Sequence, residues 1–141
     1  MRISTKGRYG LAVMVKLSEN RAAIVPISAL SNELGLSKIY LEQVLHLLKS
    51  GGLVSSIKGP QGGYSLTSDR LTIKEILTVL EPQLFEKIED CCDDTAINHI
   101  LASSVFLEAQ TRLDNFLESV TLASLVSDVV DRRLETPMFY I

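Results

Sequence analysis

Residues 27–66 read ISALSNELGLSKIYLEQVLHLLKSGGLVSSIKGPQGGYSL. Two short amphipathic patterns meet at Gly35, and the second runs through Gly51-Gly52 into a hairpin with the tip Lys58-Gly59-Pro60-Gln61-Gly62-Gly63-Tyr64. Pro26 suits the first turn of a helix, where no N–H is needed, and Ile27, Leu30 and Leu34 give that helix its apolar stripe. Gly35 is suited to the left-handed conformation that ends a helix. Ser37 is expected to cap a second helix reaching about Ser50, with Leu41, Val44, Leu45 and Leu48 inward. At about 100° per residue, Ile39, Gln43 and His46 then point outward, flanked by Tyr40 and Glu42. Leu53–Ile57 and Tyr64–Leu66 read as hairpin strands, with Gly59, Gly62 and Gly63 expected to take unusual backbone angles at the tip. A tight helix pair followed by a cationic, glycine-rich hairpin is the layout of a winged helix-turn-helix. In that layout a helix enters the DNA major groove and the hairpin touches the adjacent backbone or minor groove.

Upstream, Ser4 or Thr5 is predicted to cap a helix to about Asn20, with Leu11, Ala12 and Val15 on one side and Lys6, Arg8 and Lys16 near the other. Residues 21–25 read as a loop. Downstream, Thr72 and Glu75 predict a capping box for a short helix, Ile73 to Leu80, which stops before Pro82. Glu86 to Asp94 is acidic and expected to be irregular. From Thr95 to about Ser119 apolar residues recur every three or four positions, predicting one longer helix that carries Ile97, Ile100, Leu101, Phe106, Leu113, Phe116 and Leu117. A protruding helix with that stripe needs a partner, and a second copy of the chain is the simplest supplier. Thr121 is placed to cap a last helix to about Arg132. The fold class expected is mainly α with a small β-hairpin wing. Its organisation is a DNA-binding domain over 1–82, an acidic connecting loop over 83–94, and a dimerisation helix with C-terminal tail over 95–141.

The net charge of −3 hides an asymmetry. Residues 1–66 hold eight Lys or Arg against three Glu, a net +5, whereas the remaining 75 hold six against fourteen acidic residues, a net −8. Such a split turns one end towards phosphates and the other away from them. No apolar run is long enough to span a bilayer, and Met1-Arg2-Ile3-Ser4-Thr5-Lys6 lacks the apolar core of a signal peptide, so a cytoplasmic protein is expected. The two cysteines, Cys91 and Cys92, are adjacent, which suits a reducing compartment better than a disulfide framework.

Three stretches together resemble the Rrf2 family of bacterial winged-helix regulators: Arg2-Ile3-Ser4-Thr5-Lys6-Gly7-Arg8-Tyr9, Ser37-x-x-Tyr40-Leu41-Glu42-Gln43, and the wing Lys58 to Tyr64. Phe116-Leu117 with Val120-Thr121-Leu122 and Leu125-Val126 is similar to that family's dimerisation helix and the element after it, so the resemblance covers nearly the whole chain. It implies a homodimer on a pseudo-palindromic site in double-stranded DNA, with Ser37, Lys38, Ile39, Tyr40, Glu42 and Gln43 on the recognition helix. Gln43 is suited to adenine, Glu42 to cytosine, and Ile39 to a thymine methyl. Wing and backbone contacts are expected from Arg2, Lys6, Arg8, Lys49, Lys58, Gly59, Pro60, Gln61, Gly62 and Gly63. Lys58 stands where many members carry Arg, which implies weaker readout of a narrow minor groove. Dimer contacts are expected from Ile100, Leu101, Phe106, Leu113, Phe116 and Leu117.

Cluster-binding members carry three spaced cysteines, whereas Cys91-Cys92 supply at most two thiolates where an iron–sulfur cluster usually wants four ligands. No cofactor and no metal are therefore expected. An ordinary pair of thiols, a thiol redox switch and a metal-sensing role remain as readings of that pair. His46 suits either phosphate or solvent, and His99 a helix start. No Gly-Lys-Ser/Thr follows the wing glycines and no catalytic constellation stands out, so an enzyme is not expected. The tail Met138-Phe139-Tyr140-Ile141 reads either as an apolar strap or as a partner segment. The cysteine-metabolism repressors of the family end in a similar aromatic-isoleucine tail, which implies Phe139, Tyr140 and Ile141 as contacts for cysteine synthase acting as corepressor. The function expected is a homodimeric repressor, cluster-free and controlling sulfur metabolism. A redox or iron–sulfur sensor, and an interaction module that no longer reads DNA, are the alternatives.

Overall fold

Ser4 begins the fold by capping helix α1 (Thr5–Glu19), its hydroxyl accepting from the Gly7 N–H at 3.1 Å. The computed structural model describes residues 1–21, 23–86 and 96–135. Most of Glu86 to Asp94, including Cys91-Cys92, and the tail Phe139-Tyr140-Ile141 lie outside the described residues.

The inward side of α1 differs from the one its hydrophobicity suggests. Gly7, Gly10, Val13, Met14 and Leu17 are buried, and so is Val15, while Leu11 and Ala12 are only half-buried. The two glycines belong to the packed side because other elements fill their space: a Cβ at Gly10 would overlap the Leu80 side chain, and one at Gly7 would overlap Glu81. A pattern that counts apolar side chains passes over such positions.

Helix α2 (Ile27–Leu34) starts one residue later than expected, so that Pro26 is its extended N-cap and not part of its first turn. Gly35, at φ 65°, closes it, as its missing Cβ permits. Helix α3 (Lys38–Ser50) is capped by Ser37, which accepts from the Tyr40 N–H at 3.2 Å, and it buries Leu41, Val44, Leu45 and Leu48 as its spacing predicts. Strands β1 (Val54–Ile57) and β2 (Gly63–Leu66) pair antiparallel, Val54 opposite Leu66 and Ile57 opposite Gly63. Val25, expected in a loop, joins this hairpin instead: it exchanges two 2.9 Å backbone bonds with Tyr64 and so pins the start of α2 to the wing.

Helix α4 (Ile73–Leu80) has the capping box, Thr72 N–H to Glu75 at 2.8 Å and Glu75 N–H to Thr72 at 3.2 Å. A 3₁₀ turn, Pro82–Phe85, follows. The helix predicted from Thr95 to Ser119 is interrupted in its winding: α5 (Ala96–Ile100) passes through a π segment (Leu101–Phe106) into α6 (Leu107–Ser119). Within it Ser103 bonds back to the His99 carbonyl at 2.7 Å and Ser104 to that of Ile100. Helix α7 (Leu122–Glu135) then returns along α1.

One core joins these elements. Met14, Leu17, Leu30, Leu41, Leu45, Leu48, Ile76 and Leu80 are fully enclosed, and Leu117 and Leu122 belong to the same cluster. The backbone stitches the two ends together, Ile73 N–H to Val120 at 2.9 Å and Leu122 N–H to Leu71 at 2.8 Å.

Candidate nucleic-acid interface

Burying Leu41, Val44, Leu45 and Leu48 forces the opposite side of α3 outward. Ser37, Lys38, Ile39, Glu42, Gln43, His46 and Lys49 are all exposed there, and Ile39, at 71%, is too open to serve the core. Tyr40, expected on the flank of this face and among the base readers, is the one of that set that is not fully exposed. Its ring is half-buried and meets Tyr9 edge-to-face, with centroids 5.9 Å apart and planes at 85°. It braces the start of α3 on α1 while its edge lines an open cleft.

At the wing, Lys58, Gly59, Pro60 and Gln61 are exposed. Only Gly59 has a positive φ, 113°; Gly62 and Gly63 do not, contrary to expectation. Those two are needed for close approach, since a Cβ at Gly62 would overlap the Ile57 carbonyl and one at Gly63 that of Val25. Gly63 is buried against Val25 and is therefore scaffold, not contact surface. Lys49, expected to meet phosphate, donates to the Ser56 hydroxyl on β1 at 2.7 Å, which links the end of α3 to the wing, and it meets no carboxylate among the described residues.

The distribution of ion pairs separates the cations into two groups. Lys16 meets Glu19 at 3.2 Å and Glu33 at 3.4 Å, Arg21 meets Asp69, Lys74 meets Glu118, Arg112 meets Glu108, and Arg133 meets Glu19. Arg2, Lys6, Arg8, Lys38 and Lys58 are exposed and form no ion pair among the described residues. These five belong to the α1 start, the α3 start and the wing tip; Lys49, bonded to Ser56, and the exposed Arg70 likewise form no ion pair among the described residues.

Sequence reasoning missed what holds the first of these places. Glu81, 1% exposed, accepts from the Ser4 N–H at 2.8 Å, from the Ser4 hydroxyl and from the Gln83 amide. The Ser4 hydroxyl bond above all holds its carboxyl below the usual range, against the raising effect of burial; the Ser4 N–H, Gln83 and the charge of Lys6 add to the lowering. The only local signal was Gly7 and Gly10, whose meaning depends on a helix some seventy residues away.

The exposed apolar side of the long helix comprises Ile97, Ile100, Leu101, Val105, Phe106, Leu107 and Phe116. Two of the expected dimer residues are not on it: Leu117 is buried in the chain's own core and Leu113 packs against that core. Where α6 runs beside α4, its inner side is already taken.

A family model described as an iron-dependent transcriptional regulator, Rrf2, matches residues 3–128. The chain belongs to the Rrf2 family. CymR of Bacillus subtilis (strain 168) is 36% identical over 146 residues, covering the whole of both chains. IscR of Vibrio vulnificus is 33% identical over 132 residues, 91% of this chain and 79% of that protein. Among solved structures, that of CymR, titled the global cysteine regulator of B. subtilis, aligns with a TM-score of 0.76 at 33% identity, over 90% of this chain and 97% of that one. IscR of T. potens aligns at 0.75 with 28% identity, over all of this chain and 97% of that one. The protein is thus an Rrf2 winged helix-turn-helix, a DNA-binding transcriptional regulator and not an enzyme. Among the described residues no helix is long and apolar enough to cross a membrane.

Proposed function

We propose that two copies of this chain, joined through the exposed side of the long helix, repress transcription from a pseudo-palindromic operator. In each half-site Glu42 and Gln43 read base edges, Ile39 meets a thymine methyl, and Lys38 with the Lys58–Gln61 wing tip grips the flanking backbone. Arg2, Lys6 and Arg8 hold phosphates at the start of α1. The observation that carries this reading is that Arg2, Lys6, Arg8, Lys38 and Lys58, gathered around an exposed polar helix, form no ion pair among the described residues; Lys49 and Arg70 form none either, and Lys16, Arg21, Lys74, Arg112 and Arg133 each reach a carboxylate. On this reading residues 1–82 form the reading unit, although Leu117 and Leu122 complete its core, and Ile100, Leu101, Phe106 and Phe116 form the joint.

The donor set does not fit a resident iron–sulfur cluster. The whole sequence has two cysteines, at most two thiolates where a cluster usually takes four ligands. The cysteine branch of the family therefore supports the chain's role better: sulfur supply is the signal, delivered by cysteine synthase at Phe139, Tyr140 and Ile141. The family's iron-dependent description favours a second reading, a metal or thiol sensor at Cys91 and Cys92. Selection of bound fragments from random duplexes, with sedimentation of the complex, tests the first reading; recovery of no enriched sequence, or of one protomer per site, refutes it. Anaerobic purification separates the two signals, since visible absorption that vanishes on Cys91→Ala would establish the second. Association with cysteine synthase that persists after deletion of 139–141 would remove the enzyme partnership.

A further inference from the structure

Glu81 is the one charged side chain enclosed in the core among the described residues. A buried carboxylate is costly unless bonded, and the bonds that hold this one run to the start of α1. One oxygen accepts both the N–H and the hydroxyl of Ser4, and that hydroxyl accepts in turn from the Gly7 N–H, so α4 ends on the cap of α1. Gly7 leaves room for the carboxylate, and Gly10 leaves room for Leu80 beside it. Terminal residues fray unless tied down, and here the tie falls two residues from Arg2 and two from Lys6. Arg2, Ser4, Thr5, Lys6, Tyr40 and Glu81, with Gln83, line a single open cleft of about 630 Å³ that reaches the start of α3.

We propose that Glu81 is a positioning residue for DNA binding: by holding Ser4 it fixes Arg2 and Lys6 at the cleft beside Tyr40, where a backbone phosphate is taken. It also ties that phosphate site to the segment leaving α4, because Gln83 of the 3₁₀ turn donates to the second carboxylate oxygen. This inference rests on the DNA-binding reading under Proposed function.

The sign of one substitution separates positioning from simple charge. Glu81→Gln removes a negative charge near DNA, which by Coulomb attraction alone would tighten binding. Positioning requires the reverse. At 0.1 M salt, giving up one neutralised phosphate per protomer, two per dimer, weakens binding by roughly sixtyfold and makes the log–log salt slope shallower by about 1.8. Fluorescence anisotropy with an enriched duplex and a random one should show the same weakening on both, with base preference unchanged. Lys6→Ala should weaken binding by a similar factor, and the double variant should be little weaker than Lys6→Ala. A folded Glu81→Gln chain that binds as tightly as wild type, or more tightly, overturns the proposal, as do fully additive effects in the double variant. Should Glu81→Gln fail to fold, Ser4→Ala carries the test: it keeps the Ser4 N–H bond and should give a smaller effect of the same kind, and a lowered Tm with unaltered affinity and slope overturns the proposal. Wild-type protein that binds no duplex refutes the DNA reading itself, whereas wild-type binding with an unaltered Glu81→Gln refutes only the positioning role.

Discussion

Removing the unpaired cations should change the salt dependence of DNA binding, and removing paired ones should not. Each protomer presents Arg2, Lys6, Arg8, Lys38 and Lys58 at the proposed interface without an ion pair among the described residues, so a dimer presents about ten there. If all reach phosphates the log–log slope of affinity against salt approaches about −9, and a rise from 50 to 200 mM weakens binding by roughly five orders of magnitude. The combined change Lys38→Ala with Lys58→Ala removes four charges per dimer and should make the slope shallower by about 3.6. Arg112→Ala with Lys74→Ala also removes four, but these pair with Glu108 and Glu118 of α6 and should leave the slope within error. Anisotropy titrations over a KCl series measure both. Equal slope changes in the two double variants would mean that net charge, not the placement of unpaired cations, governs binding, and the interface assigned from ion pairing would be wrong.

Gln43→Ala should relax preference at one base pair of each half-site, at about 1–3 kcal/mol, whereas Lys49→Ala, which releases Ser56 and with it the link from α3 to the wing, should weaken all duplexes alike; identical profiles across a panel of mutated operators would refute the division. Leu45→Ala, at a fully buried site, should destabilise the fold by about 2–5 kcal/mol in urea denaturation, and a change below about 1 kcal/mol would contradict the enclosure of Leu45. Gly63→Val should break the Val25–Tyr64 pairing and loosen the wing, read as reduced amide protection at both residues; retained protection would show that the close approach is dispensable. The folded carboxyl of Glu81 lies below its ordinary 4.5, so its contribution to stability is complete above that value and lost as pH falls through the lower folded one. The stability gap between wild type and Glu81→Gln should therefore be flat near neutrality and close in acid, and a gap that widens below pH 4.5 would reverse the assigned direction.

Local chemistry makes much of this chain legible from its residues alone. Ser4, Ser37 and the Thr72–Glu75 box mark helix starts because a cap is satisfied within three residues, and Gly35 marks an end because αL is open to glycine. The inward side of α3 is equally plain, since four large aliphatic residues at helical spacing leave one way to turn. These signals act over a few residues, and tertiary packing agrees with them.

Long-range partners decided the rest. Gly7 and Gly10 read as neutral until α4 supplies Glu81 and Leu80; Gly63 reads as a flexible tip until Val25 arrives; Leu117 reads as dimer surface until it meets the core. The sequence by itself determined the elements, the outward α3 residues and the family, because each rests on local spacing or on matched motifs. Only the tertiary structure decided which cations meet carboxylates among the described residues and what anchors Arg2 and Lys6. Ion pairing and burial belong to residues far apart in the chain, and Ser4 and Glu81 meet across a sequence separation of 77.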